Sequence, residues 1–248
     1  MPSEAAEFPI VSVQSDFYLL IPSRFPTIEL FERIAANRDD EVAAIENRTN
    51  PRLRAKERLS RQSPYVVDGD PPRLQNWNLA PFTYPNPEGT VLFPNSVRCL
   101  EMSGDPQTAL AVSVAKRERF LGRTNEDPIG LDMRMLRRKV EGRFVDARTV
   151  TGALDGPTLR DLGDSIMGLD SGVRFDGVLF HTSERPTGTR IVVLNGDVLG
   201  RAIQCEHYRF QWNGERISRI YNFDNSIPTE QNSIDPAKLK HEENLFAA

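Results

Sequence analysis

The stretch that most constrains this chain runs from Pro85 to Leu121, PNPEGTVLFPNSVRCLEMSGDPQTALAVSVAKRERFL. It reads as an extended segment, a sharp turn at Ser103-Gly104, and a helix. Asp105 supplies an N-cap carboxylate, and Pro106 suits the first helical position, where its missing N–H costs nothing. Leu110, Ala111, Val114 and Leu121 then follow helical spacing, while Lys116, Arg117, Glu118 and Arg119 form the polar face. The middle of this helix, Ala109-Leu110-Ala111-Val112, carries no ionisable group, so the element is predicted to pack centrally.

The rest of the chain mixes strands and helices without regular β-α alternation, which predicts an α+β fold: a mixed sheet core with flanking helices. Phe17–Ile21 is a strand closed by Pro22. Pro26 and Thr27 open a helix through about Ala36, followed by a charged stretch, residues 39–61, that Pro51 interrupts. Its basic cluster at 48–61 (Arg48, Arg52, Arg54, Lys56, Arg58, Arg61) could touch phosphates but reads first as a solvated helix face paired with the local acids Glu41, Glu46 and Glu57. Residues 62–90, rich in Pro, Asn and Gly with scattered aromatics, suit an ordered loop around a cleft. Ile129–Leu136 and Gly142–Asp146 read as two strands and Pro157–Leu169 as a helix. Phe175–Phe180 is a further strand. The loop His181–Thr189 leads to the buried strand Arg190–Leu194, and Tyr208–Trp212, Asn213-Gly214 and Glu215–Ile217 form a hairpin. The expected organisation is a loose arm at 1–15, one domain at 16–224 and a polar, poorly ordered tail at 225–248.

Bulk properties exclude several functions. With 31 Lys and Arg against 35 Asp and Glu, the net charge of −4 gives no general attraction to nucleic acid. No apolar run approaches the eighteen or so residues of a membrane span. The start, MPSEAAEFPI, lacks the basic and apolar regions of a secretory signal, which predicts a cytoplasmic protein. Cys99 and Cys205 are too few for a disulfide framework and are expected as reduced thiols. His181, His207 and His241 lack metal-ligand spacing, and no metal site is expected. No phosphate-binding loop, dinucleotide fingerprint or nucleophile elbow is present. The most polar stretch, His181-Thr182-Ser183-Glu184-Arg185, reads first as a strand connection with hydroxyls capping backbone groups.

Four segments together carry a resemblance. They are IPSRFP (21–26) with TNPRLR (49–54), APFTYPNPEG (80–89), TALA…RERFL (108–121) and FDGVLFHTSERPTGTRIVVL (175–194). They resemble the RES-domain proteins, named for an Arg, a Glu and a Ser, with agreeing spacing through most of residues 17–223. The resemblance implies a compact fold similar to ADP-ribosyltransferases and a pocket for NAD. It commonly implies the toxin of a bacterial toxin–antitoxin pair, degrading NAD at the nicotinamide–ribose bond. That chemistry breaks the bond to a cationic nicotinamide ring, which departs as neutral nicotinamide with the bonding electron pair and leaves an oxocarbenium-like ribose. A carboxylate must stabilise the charge, and arginines must hold phosphate groups.

Carried over position by position, the resemblance puts the family's first Arg on Leu19, directly after Tyr18, and its second on Val91. The pocket tyrosines fall on Leu100 and Glu101, the catalytic Glu on Val112, and the Ser on Thr182, beside Ser183. The scaffold is kept while the NAD-cleaving set is replaced, so no catalytic residue is expected intact. The first expectation is a pseudoenzyme that acts by binding a ligand or a protein partner: an antitoxin-like or RES-family protein, or a second copy of the chain. A second is a rewired enzyme acting on NAD or a related nucleotide. Its acid would be Glu101, against the simpler reading of an exposed strand Glu. Its ligand contacts would come from Tyr18, Arg24, Arg98, His181, Thr182 and Ser183. A third places the role on the 48–61 surface. No cofactor is required; NAD is the ligand or substrate to test.

Overall fold

A computed structural model describes residues 8–23, 80–82, 84, 86–150, 155–168, 174–223, 233–240 and 245. The helices expected at 27–61, the basic 48–61 cluster, residues 62–79 and Arg24 lie outside the described residues. Eight strands form one sheet in the order β1-β2-β5-β4-β3-β6-β7-β8. They are β1 (Ile10–Pro22), β2 (Leu100–Ser103), β3 (Ile129–Asp146), β4 (Gly177–Thr182), β5 (Arg185–Val193), β6 (Ile203–Trp212), β7 (Ile217–Phe223) and β8 (Ser233–Ile234). Among the described residues, two complete α-helices accompany them, α1 (Pro106–Leu121) and α2 (Gly156–Met167). The mixed α+β architecture is as the sequence predicts.

The strand β3 organises the sheet. Along one edge it pairs antiparallel with β1, from Ile10↔Val145 to Pro22↔Met133. Along the other it meets β6 over Ile129–Arg137 and then β4, in parallel, over Phe144–Asp146. Because β1 also touches β2, strands β1, β3, β4, β5 and β2 close on themselves into a small barrel. Its seam is thin: β1 and β2 share only the pair Tyr18↔Ser103. Strand alternation turns Phe17, Leu100, Met102, Val140, Phe144, Leu179, Ile191 and Val193 into one buried cluster, the barrel interior. Outside the barrel, α2 covers Val178, Phe180 and Val192 with Leu159, Leu162 and Ile166. The spacing of those three residues is the apolar stripe of an amphipathic helix.

Helix α1 starts as the sequence demands. The Asp105 side chain accepts a hydrogen bond from the Thr108 N–H at 2.8 Å, and Pro106 follows at once. Its first turns are buried all round from Gln107 to Val114. One face packs on Met133, Met135, Tyr208, Phe210 and Trp212 of β3 and β6. A helix buried on every side needs an interior free of charge, which explains the uncharged run Ala109–Val112.

Several sequence expectations are corrected. The chain at 1–15 is not simply an arm, since β1 begins at Ile10. The alternation of Val11 and Val13 with Ser12 and Gln14 is a half-buried strand whose polar members obscure it. The two strands expected at 129–136 and 142–146 are one strand of 18 residues. Gly142, within that strand, sits where a Cβ would stand 2.7 Å from an Asp176 carboxylate oxygen. The 225–248 tail contributes β8 and a 3-10 turn, Pro236–Lys240, with Leu239 buried against the α1 cluster. The loop expected at 181–189 is a hairpin with only Ser183-Glu184 at its tip, because β5 begins at Arg185.

Candidate functional site

The barrel seam creates the candidate site. Where β1 and β2 part after the Tyr18↔Ser103 pair, α1 lies across the opening and leaves a cleft of about 180 Å3. It is lined by Tyr18, Leu19 and Leu20 from β1, Glu101–Ser103 from β2, and Arg190 from β5. Helix α1 adds Ala109, Val112, Ser113, Lys116 and Arg117, residues three and four apart that share one helical face.

Glu101 is the chemical centre of this cleft. Its neighbours Leu100 and Met102 point into the barrel, so alternation points Glu101 outward beneath α1. Arg190 is its diagonal neighbour across the β2–β5 pair, in which Glu101 faces Val192 and Ser103 faces Arg190. Glu101 Oε2 accepts from Lys116 Nζ at 2.9 Å and from Arg190 Nη2 at 3.0 Å. Oε1 accepts from the Val91 backbone N–H at 2.8 Å. Arg190 also stacks over the Phe180 ring at 5.2 Å. Burial alone pushes the Glu101 carboxyl up. The Lys116 and Arg190 charges, with hydrogen bonds from Lys116 and Val91, outweigh it and hold the group at about 2. Glu101 is therefore a buried, ionised carboxylate, not the exposed strand residue that was the simpler reading of the sequence.

The structure brings together some of the residues singled out in the sequence and separates others. Tyr18, Leu19, Glu101 and Val112 all line the cleft. Val91 contributes its main chain to Glu101, while its side chain packs toward the α2 cluster. Thr182 is buried at the end of β4, and its hydroxyl accepts from the Glu184 N–H at 3.3 Å, tying the hairpin tip. His181 Nδ1 is 2.7 Å from the Gly188 carbonyl oxygen. Neither residue is part of the cleft lining; nor are Ser183 or Arg98. Ser183 instead borders a second groove with Ala111, Val114, Arg119 and Leu239. Arg98, in the loop before β2, carries a buried Nη1.

The cations Lys116 and Arg190 were missed by sequence reasoning. Lys116 sits on the polar run that ends α1, and the signal was its spacing: four residues after Val112, hence on the same face. Arg190 opens an apolar run and looked like a strand boundary. Only the β2–β5 register reveals its partner.

A second network fixes α1 above the barrel. Arg185 Nη1 lies 2.9 Å from both Asp105 carboxylate oxygens and 2.7 Å from Thr108 Oγ1. The N-cap of α1 is thereby pinned to the first residue of β5. Among the described residues no group of three or more His, Cys, Asp or Glu could hold a metal ion. No described helix is long and apolar enough to cross a membrane. Both cysteines are free, Cys99 buried and Cys205 half-buried.

Comparison with known proteins identifies the architecture. Residues 70–213, more than half the chain, match the model of the RES domain. The chain is 47% identical to the uncharacterized protein y4oC of Sinorhizobium fredii over 240 residues, 96% of this chain and 98% of that protein. It also aligns with the crystal structure of the M. tuberculosis MbcT-MbcA toxin-antitoxin complex, covering 83% of this chain and 87% of that one. At 12% identity and a TM-score of 0.34, that last likeness is too distant to support an argument about the site. Glu101, Val112, Thr182 and Arg190 all fall within the matched span, whereas Tyr18 and Leu19 precede it. The chain belongs to the RES-domain family.

Proposed function

We propose that this RES-domain chain is impaired in NAD cleavage and acts by binding a protein partner: an antitoxin-like protein, another RES-family chain, or a second copy of itself. The observation that carries the reading is the state of the cleft's carboxylate. Glu101 has both oxygens engaged, by Val91, Lys116 and Arg190. With its carboxyl held at about 2, it has no proton to give at neutral pH. Two cations of the cleft lining, Lys116 and Arg190, meet that one anion. A surplus of positive charge opposes a developing oxocarbenium ion, which needs negative charge held nearby. Leu19 and Val112 line the same cleft, and neither side chain can hold a phosphate or stabilise a cation. A volume of about 180 Å3 is also small beside the roughly 300–1,000 Å3 of small-molecule sites.

A second reading keeps Glu101 as the working carboxylate of a rewired enzyme on NAD or a related nucleotide. Its burial inside the cleft favours that reading, and the neutralisation by two cations weighs against it. The discriminating experiment incubates NAD with purified protein and with Glu101→Gln. The expected result is no consumption by either. Turnover by the wild type that disappears in Glu101→Gln would establish the rewired enzyme instead. Partner binding is tested by co-expression with antitoxin-like proteins and by measuring molar mass in solution; a monomer that retains no partner would count against it.

A further inference from the structure

Two cations converge on a single carboxylate oxygen in the cleft. Lys116 Nζ and Arg190 Nη2 approach Glu101 Oε2 from different elements, α1 and β5, at 2.9 and 3.0 Å. A backbone N–H completes the cradle at Oε1. Such a set of charge-assisted donors, fixed by a helix, a strand and a loop, is how proteins hold a free carboxylate or phosphoryl group. The cradle has donor capacity beyond what Glu101 uses. Arg190 Nε is buried without a hydrogen-bond partner among the described residues. Lys116 is half-exposed, so the cradle opens toward solvent on its α1 side.

We propose that Glu101 is an internal anion: its carboxylate occupies an anion-binding position between Lys116 and Arg190, and so closes the cleft to external carboxylate and phosphoryl groups. The tether explains why an outside anion loses. A side chain fixed on β2 is always present at the cradle, whereas a free ligand must displace it and leave a buried carboxylate unpaired. The inference concerns the same cleft as the proposed function and deepens it, because it names what keeps ligands out. The two can fail separately: a wild type that retains no protein partner would refute the proposed function and leave the anion result standing, whereas a Glu101→Ala variant indifferent to anions would refute the inference alone.

The test is chemical rescue. Glu101→Ala removes the internal anion and leaves Arg190 buried and unbalanced. Thermal unfolding is followed in chloride, formate, phosphate and pyrophosphate at constant ionic strength. The variant is expected to gain roughly 3 °C or more, saturably, in formate or phosphate relative to chloride, with no such gain in the wild type. Adding Lys116→Gln should abolish the gain. If Glu101→Ala folds only when formate or phosphate is present, that too supports the proposal. A variant that melts alike in every anion overturns it, as does a wild type that gains as much. Glu101→Gln, which keeps the side-chain shape, should bind inorganic pyrophosphate at least about tenfold more tightly than the wild type. Equal binding overturns the proposal whatever the alanine variant does.

Discussion

Neutralising Glu101 tests the electrostatics of the cleft quantitatively. A glutamate carboxyl titrates near 4.5 without the fold and at about 2 within it, a gap of about 2.5 pH units. At about 1.4 kcal/mol per unit, ionised Glu101 contributes roughly 3 kcal/mol more to stability than the protonated form does. The sign follows from the depressed value. This stability is fully present above about pH 4.5 and is lost as pH falls through about 2, because the unfolded chain takes up the proton first. The perturbation is Glu101→Gln. At pH 7 it should cost about 3–5 kcal/mol, since Arg190 stays buried at 2% side-chain exposure without a counter-charge. Lys116, about half exposed, can turn to solvent and adds little. Urea unfolding at pH 7, 4.5 and 3 is the assay. The gap between wild type and variant should be widest at pH 7 and narrow steadily between pH 4.5 and 3. A constant gap would refute the reasoning, because the carboxylate would then have no privileged partners in the fold.

Three further outcomes follow from the packing around α1 and the loop before β2. Gly188→Ala should destabilise by about 1–3 kcal/mol in urea unfolding, since its Cβ would stand 2.1 Å from Thr108 Oγ1; a change below about 0.5 kcal/mol contradicts this. Asp105→Asn keeps an N-cap acceptor but removes the charge facing the buried Arg185, so it should cost stability beyond the roughly 0.5–2 kcal/mol of losing a cap. In the double variant with Arg185→Met that excess should vanish, as a double-mutant cycle would register. Cys99, buried with its thiol pushed up to about 12, should resist a thiol reagent in the native protein while half-buried Cys205 reacts first. Equal rates at the two sites would contradict the burial.

Much of the fold was legible because local chemistry and tertiary packing agree there. Asp105-Pro106 can hardly be anything but a helix start, and Asn213-Gly214 between alternating strands forms its hairpin, with Gly214 at φ +99°. What was not legible depends on partners distant in sequence. Ile10–Ser15 is a strand because β3 pairs with it, and its own residues give only a weak alternation. The segment 181–189 looked like a loop because Pro186 and Gly188 are poor strand residues. Gly188 is required by the close approach of Thr108, and β5 tolerates both. The site divides in the same way. Glu101 and Val112 were found by register against the family, and both line the cleft. Their meaning depends on Lys116 and Arg190, whose convergence on one oxygen arises from the β2–β5 pairing and the placement of α1, neither of which a linear pattern records.

The most direct test of the central claim is release of free nicotinamide from NAD by the purified chain, followed by proton NMR over hours at micromolar protein. The expected nicotinamide resonances stay those of intact NAD, with no release of free nicotinamide above that in buffer alone. Steady release of nicotinamide, abolished in Glu101→Gln, would show that the cleft performs the family's chemistry with a carboxylate in a new position, and would contradict the account.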